Sequence, residues 1–222
     1  MTTDIISSWE KNAAEWIKVI QENSIASRQI TNKAIVDTVL QLDCKKMVDI
    51  GCGEGWLTRK LGEKGIQAVG LDAIEALIQE ARARGKETYQ VFSFENIISG
   101  EPIPGGPYDC AVFNFCLYLK EGLEPLLRHT LRQIKPKGSI VIQTLHPYFL
   151  IQNGLAYQSQ WLSDSWKGLP GNFEKGHSWY ARTFEDWHKE LFKLGNTGFT
   201  IKEILNDEQK PVSLILKIQK LK

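Results

Sequence analysis

The chain has 222 residues, with 27 basic and 26 acidic side chains and a formal net charge of +1. That length suits one α/β domain with an elaboration, and the balanced charge supplies no strong field for nucleic acid or an anionic membrane. Residues 1–11 carry acids without an apolar core, and the apolar run at 110–119 is too short to span a bilayer, so a soluble, cytoplasmic protein is expected.

Two amphipathic helices are expected at 4–22 and 25–42. Ser24 would N-cap the second, which carries Ile30, Ala34, Ile35, Val39 and Leu42 on one face. From residue 47 strands and helices alternate. Strands are expected at 47–50, 66–71, 88–92, 108–114 and 138–145, and helices at 56–64, 74–84 and 121–134. This alternation predicts an α/β, Rossmann-like fold with a doubly wound, mostly parallel sheet. Lys135 to Gly138, KPKG, reads as a helix stop, and 99–107 as an irregular loop. Residues 146–183 are rich in Trp, Tyr, Gly and Ser without a clear period, which suggests an inserted lid after the fifth strand. A helix at 184–195 and two β-rich runs at 198–206 and 212–220, separated by a polar turn with Pro211, predict a closing antiparallel hairpin and a seven-stranded sheet. One domain over 1–222 is expected: helical cap 1–45, ligand-binding core 46–146, lid 147–183, and C-terminal helix and hairpin 184–222.

The stretch VDIGCGEGWL at 48–57 carries the clearest chemistry. A buried strand runs into Gly51, Gly53 and Gly55, which let the backbone turn and close on a ligand, and a helical pattern begins at Trp56. Asp72 ends the next strand 21 residues after Gly51, where a carboxylate can accept ribose hydroxyls. The spacing is G-x-G-x-G without lysine, so neither the G-x-G-x-x-G dinucleotide fingerprint nor a P-loop fits. Asp49 and Glu54 would repel a pyrophosphate and favour a ligand carrying an ammonium or sulfonium, the charge pattern of S-adenosylmethionine. Cys44, Cys52, Cys110 and Cys116 form no C-x-x-C pair and have no histidine at ligand spacing, so no metal site is expected. Cys110 and Cys116 are read as small hydrophobes on a strand, and Cys52 as a lining of the pocket.

These residues resemble the class I S-adenosylmethionine-dependent methyltransferases of the small-molecule, type 11 or 12 style, over about 45–146 and in the terminal hairpin. YDCAVFNFCLYL at 108–119 is similar to the family's fourth-strand motif, and LLRHTLRQIKPKGSIVIQT at 126–144 to its helix, turn and fifth strand. The resemblance implies that Asp49, Gly51, Gly53 and Gly55 hold the methionine part of the cofactor and Asp72 its ribose, with Ala73 or Ile74 against the adenine. The aspartate usual after the third strand is replaced by Ser93. The Ser93 hydroxyl and the Phe94 backbone are therefore the candidate adenine contacts, with Glu95 at a helix start. Arg28 is the candidate partner of the cofactor carboxylate, the alternative being a solvated helix residue. SIASRQITNKAIV at 24–36 and QTLHPYF at 143–149 resemble one bacterial subgroup of these enzymes, which implies no particular substrate.

Acceptor sites on this architecture lie beyond the strand C-termini, which places Asn114 at the rim facing the cofactor and His146 beside it. His146 is the first candidate general base, with a lid-ordering histidine as the alternative; His177, Tyr180 and, more weakly, Tyr157 follow. Trp161, Trp166 and Trp179 are either a substrate lining or a satellite core, and Arg182 is a candidate for an acidic substrate group. Trp9, Trp16 and Trp56 are read as core anchors. The expected activity is methylation of an oxygen, nitrogen or carbon of a small, aromatic or acidic metabolite. Two alternatives share the glycine turn and distal aspartate: an NAD(P)-dependent oxidoreductase and a non-catalytic S-adenosylmethionine-binding regulator. The absence of an Asn-Pro-Pro-Tyr sequence after the fourth strand speaks against methylation of adenine or glutamine nitrogens. The lid's few bases, Lys167, Lys175 and Arg182, face Asp164 and Glu174, which gives nucleic acid weak support.

Overall fold

Near-continuous buried runs along the central strands decide the architecture of residues 3–221, the part of the chain that this computed structural model describes. Met1, Thr2 and Lys222, the ends of the expected domain, lie outside the described residues. Helices α1 (Thr3–Gln21) and α2 (Arg28–Leu40) lead into β1 (Lys46–Ile50), α3 (Trp56–Gly62), β2 (Gln67–Asp72), α4 (Glu75–Arg84), β3 (Thr88–Val91) and α5 (Phe94–Ile98). Then follow β4 (Tyr108–Asn114), α6 (Leu123–Arg132), β5 (Ile134–Leu145), α7 (Tyr148–Gln152), β6 (Gln160–Leu162), β7 (Trp179–Ala181), α8 (Phe184–Phe192), β8 (Thr197–Leu205) and β9 (Pro211–Lys220). The main sheet has seven strands in the order β3-β2-β1-β4-β5-β9-β8, and β6 pairs with β7 in a separate ribbon. Strands β1 to β5 run parallel to one another, whereas β9 runs antiparallel to both β5 and β8. The α/β, Rossmann-like sheet with an antiparallel C-terminal hairpin is therefore present.

Successive side chains of a strand face opposite layers. Val48, Ile50, Ala111, Phe113, Ile140 and Ile142 join Leu123, Leu126 and Leu127 of α6 and Trp187 and Leu191 of α8 in one core. Met47, Cys110, Val112 and Val141 face the other way, against Ile35, Val36 and Val39 of α2 and Leu57 and Leu61 of α3. Both faces of the sheet are thus covered, as parallel sheets require. The predicted stripe of α2 lies in this second layer, with Ile30, Ala34 and Leu42 at its margin.

Four local expectations are corrected. Ser24 is not an N-cap: Arg28 and Gln29 donate backbone bonds to Ile25 and Ala26 in a turn, and α2 begins after Ser27. The KPKG segment lies inside β5, because α6 already ends at Arg132. Cys116 follows β4 rather than lying within it, while Cys110 is fully buried as a small hydrophobe. The lid contains α7 and the β6–β7 ribbon, short elements with no periodic signature in the sequence. Chain order reverses between β1 and β4, and ligands of open α/β sheets bind beyond the strand C-termini at such a switch point.

Candidate active site

The turn after β1 is shaped by close contact. Gly51 has φ +79°, and a Cβ there would stand 2.7 Å from the Cβ of Cys116, so only glycine lets the β1 and β4 exits meet. Cys116 Sγ donates to Ile50 O at 3.2 Å and seals that contact. At Gly53, φ +57°, a Cβ would meet only Trp16 Nε1 at 3.7 Å, so the loop backbone stays open towards α1. The Cys52 side chain instead points away, into a cluster with Ile78, Ala81 and Tyr89. The Cys52 thiol packs in this cluster and donates to Gly53 O at 3.5 Å, so it braces the loop from behind.

Acids and one cation surround this backbone. Asp49 is buried; its Oδ2 accepts from Thr58 Oγ1 at 2.9 Å and its Oδ1 has no partner. Burial, with the charges of Glu54 and Asp72 added, pushes its carboxyl up to about 7. Glu54 is also buried, 3.6 Å from Arg59 Nη2, and its Oε1 accepts no hydrogen bond. Asn114 Oδ1, at the end of β4, is a third buried acceptor without a donor. Arg28 lies over the ring of Trp56 at 4.9 Å and that of Trp16 at 5.8 Å. Burial lowers its pKa and the charge of Glu54 opposes that shift. The two rings orient the guanidinium beside the Glu54 charge. Trp16 and Trp56 thus hold this arginine rather than serving only as core anchors.

The β2 and β3 exits complete the cleft. Asp72 Oδ2 accepts from the Gly53 N–H and Oδ1 from the Ile74 N–H, both at 2.9 Å, which ties the carboxylate to the glycine loop. Burial raises its pKa against those two bonds. The Ile74 side chain packs with Ala13 and Leu77 between α1 and α4, so it is Ala73 that remains beside Asp72. Ser93 Oγ accepts from the Asn96 N–H at 3.3 Å and donates to Asn96 Oδ1 at 2.8 Å, a capping box that commits its hydroxyl to α5. The Ser93 hydroxyl proton is therefore committed to Asn96, with one acceptor lone pair left over, and the first-turn backbone at Phe94 stands beside it as a candidate. Glu95 falls in the first turn of α5, as expected.

A roof closes over the cleft from α1 and the lid. Ser8, Asn12 and Glu15 share one face of α1 through their spacing. Ser8 Oγ donates to Lys175 O at 3.1 Å. Asn12 Nδ2 donates to Glu174 O and Asn12 Oδ1 accepts from Glu174 N–H, both at 2.7 Å, and Glu15 Oε1 accepts from Asn172 N–H at 2.8 Å. Trp166 Nε1 donates to Ser8 Oγ at 3.0 Å, while its ring stacks on Phe173 and meets Trp9 edge-on, each at 4.6 Å. Trp166 is thus a buried roof anchor. Trp161 is half exposed and pairs with Tyr180, Trp179 pairs with Phe149, and Tyr157 accepts from Phe184 N–H at the outer end of α8. Tyr180 N–H donates to Tyr118 O, while its ring carries Lys120 and Arg182 on it at 5.6 and 5.1 Å. Arg182 donates to Lys120 O at 2.7 Å and lies 3.5 Å from Asp186. Arg182 thus fastens the lid, and its buried Nε and Nη1 make no hydrogen bond within the protein.

The two candidate histidines separate sharply. His146 Nε2 lies 2.8 Å from Glu203 Oε1, its Nδ1 accepts from the Tyr148 N–H at 3.0 Å, and Phe184 packs on its ring. Both nitrogens are thereby held by lid and sheet contacts. His177 is buried against Tyr118, Trp9 and Trp166, with Nδ1 3.0 Å from Ser165 Oγ and Nε2 unpartnered. Among the described residues no group of three His, Cys, Asp or Glu side chains is placed to hold a metal, and no helix is long and apolar enough to cross a membrane.

A family profile described as a methyltransferase domain matches residues 8–193. The chain belongs to this family. That membership displaces the oxidoreductase reading. The chain is 24% identical over 159 residues to the demethylmenaquinone methyltransferase of Tropheryma whipplei (strain Twist), covering 70% of this chain and 66% of that protein. It is 28% identical over 110 residues to the ubiquinone biosynthesis O-methyltransferase of Idiomarina loihiensis, covering 46% and 43% respectively. The matches thus span just under two thirds and less than half of these relatives' lengths. Among solved structures, an S-adenosylmethionine dependent methyltransferase from Mesorhizobium loti superposes with TM-score 0.63 at 20% identity, covering 84% of this chain and 96% of that one. The Burkholderia thailandensis 1,6-didemethyltoxoflavin-N1-methyltransferase, solved with 1,6-didemethyltoxoflavin and S-adenosylhomocysteine, has TM-score 0.65 at 14% identity, covering 99% and 87%. At these identities the likeness establishes the class I methyltransferase fold.

In this methyltransferase domain, the expected residues Arg28, Asp49, Gly51, Gly53, Asp72, Phe94 and Asn114 line the β1, β2, β3 and β4 exits or the face of α2 turned to them. Sequence reasoning missed Tyr118, whose hydroxyl donates to Phe115 O at 2.8 Å and whose ring meets His177 at 4.8 Å. It also missed the polar stripe Ser8, Asn12 and Glu15, whose spacing was visible but whose lid partners lie more than 150 residues away.

Proposed function

We propose that the protein transfers a methyl group from S-adenosylmethionine to an oxygen, nitrogen or carbon atom of a small molecule held under the roof. The observation that carries this reading is the pair of buried acceptors without a hydrogen-bond partner, Asp49 Oδ1 and Asn114 Oδ1, beside Glu54 Oε1, whose one partner is the Arg59 ion pair, and the Arg28 guanidinium held over two rings. Buried polar groups without partners call for a ligand that supplies them, and this set matches a zwitterionic amino-acid end. Arg28 would take the carboxylate, and the three acceptors would receive the ammonium or its bridging waters. Asp72, already oriented by Gly53 and Ile74, would accept the ribose hydroxyls, and Ala73 and the Phe94 backbone would flank the adenine.

When bound, the cofactor supplies an electrophilic methyl group on a sulfonium. The protein's share is alignment and exclusion of water, because in-line displacement needs few obligatory side chains. The buried acids lower the free energy of a nearby cation, and the α1–lid roof shields the reacting atoms. Titration calorimetry with S-adenosylhomocysteine tests the assignment. Saturable binding is expected, weakened about tenfold in Arg28→Met, the loss of one charge-assisted contact of roughly 1.5 kcal/mol. Equal affinity in Arg28→Met would detach that residue from the cofactor.

A further inference from the structure

Among the described residues of the roof, His177 and Arg182 keep buried nitrogens without a hydrogen-bond partner, and only that of His177 is a neutral acceptor. His177 is 3% exposed, and its Nε2 meets neither solvent nor a hydrogen-bond partner. Its other nitrogen lies against Ser165 Oγ, and Ser165 N–H donates to His177 O at 2.9 Å, so the lid's own turn fixes the ring. With Nδ1–H donating to Ser165, Nε2 offers a buried lone pair. Desolvation keeps the imidazole neutral by lowering its pKa to about 4, and no charged neighbour contributes to that shift.

Two lines of contact lead from this nitrogen's ring to the glycine loop. One runs through Tyr118, 4.8 Å away, and Cys116, which abuts Gly51. The other runs through Trp9 and Trp16, whose rings lie 5.3 Å apart, to the open side of Gly53. The walls around His177 are aromatic faces. Glu174 and Lys175 turn their side chains to solvent, and Arg182 is paired with Asp186.

Resting on the methyl-transfer reading, we infer that His177 Nε2 receives the proton of a neutral, flat aromatic acceptor, carried on a phenol-type hydroxyl or a ring N–H, seated against Tyr118 and Trp9. The acceptor's O–H or N–H bond breaks and its proton passes to Nε2. The electron pair of that oxygen or nitrogen forms the bond to the methyl carbon, while the carbon–sulfur pair stays on sulfur as a neutral thioether. The imidazolium then gives its proton to water. A weak base suffices, because the bound proton becomes strongly acidic as the new bond forms. Ser165 is a positioning residue that selects the tautomer.

The test uses the full chain loaded with S-adenosylhomocysteine, probed with 4-methoxyphenol, 2-naphthol and indazole, and with 4-hydroxybenzoate as the anionic comparison. Imidazole ¹⁵N spectra follow His177, and tritiated S-adenosylmethionine follows transfer. At least one neutral ring should bind saturably and move the His177 Nε2 resonance, with 4-hydroxybenzoate weaker. His177→Phe, which keeps the aromatic packing, should keep S-adenosylhomocysteine affinity and lose about 100-fold or more in transfer. Ser165→Ala should lose less and change the tautomer ratio in the same spectra. The inference is overturned if no neutral ring binds at millimolar concentration, if the anion is preferred, or if His177→Phe transfers at the wild-type rate. Failure of S-adenosylhomocysteine itself to bind would instead overturn the methyl-transfer reading beneath it.

Discussion

The floor and the roof of the candidate site are built by different means. The floor is mostly backbone and strand ends: Gly51 and Gly53 at positive φ, and Asp72 bonded to the loop it faces. The roof is made of side chains reaching distant backbone, as where Asn12 holds Glu174 across 162 positions. A floor of this kind is set by local conformation, whereas the roof depends on contacts that exist only once the chain has folded. Changes in the floor should therefore act on cofactor binding, and changes in the roof on stability and on what the site accepts.

Asp72→Ala gives the largest expected effect. Removing the carboxylate that accepts from the Gly53 N–H, and that is proposed to accept the ribose hydroxyls, should weaken S-adenosylhomocysteine about 100-fold, at roughly 1.5–3 kcal/mol per charged hydrogen bond. Circular dichroism and the protease resistance of 164–178 should stay near wild type, and a simultaneous loss of the roof would erase the distinction.

Acidity provides the next test. Burial pushes the Asp49 carboxyl from an ordinary 3.8 up to about 7 in the fold. The folded chain therefore binds the extra proton between those values, so this carboxyl favours folding at low pH, a contribution lost as pH rises through 7. A ligand ammonium needs the ionised form, so affinity should fall as pH drops below 7, by at most about tenfold per unit, with proton uptake by the protein opposing binding. Calorimetry in buffers of different ionisation enthalpy measures the proton released; a flat profile from pH 8 to 5 would remove Asp49 from the ammonium site.

Asn12→Ala acts on the roof alone. It strands the N–H and C=O of Glu174, which should cost about 1–3 kcal/mol of stability and speed proteolysis near 172–178, with S-adenosylhomocysteine affinity changed less than about threefold. A large loss of affinity would show that the roof also carries the cofactor. Ser24→Ala should change stability by less than about 0.5 kcal/mol, because Ser24 caps no helix here.

The same contrast explains what was legible in the sequence. Strand alternation, the glycine turn and Asp72 announce themselves through local period and through backbone conformations few residues adopt. Arg28 was visible as a candidate, but not its holding rings, because Trp16 and Trp56 flank it from α1 and α3. His146 stood out by adjacency to β5, yet Glu203 and Tyr148 engage it from β8 and α7. His177 sits in a segment without period, and only packing against Tyr118, Trp9 and Trp166 reveals its unpartnered nitrogen. At Ser93 the sequence did not announce that the hydroxyl proton goes to Asn96 three residues on.

The central claim is that the acids of the glycine turn select a cationic nucleoside over a dinucleotide. Parallel calorimetric titrations of the wild-type chain with S-adenosylmethionine and NADH at pH 7.5 address it directly. Saturable binding of S-adenosylmethionine with no measurable binding of NADH is the expected result; NADH binding as tight as that of S-adenosylmethionine, or no S-adenosylmethionine binding at all, would contradict it.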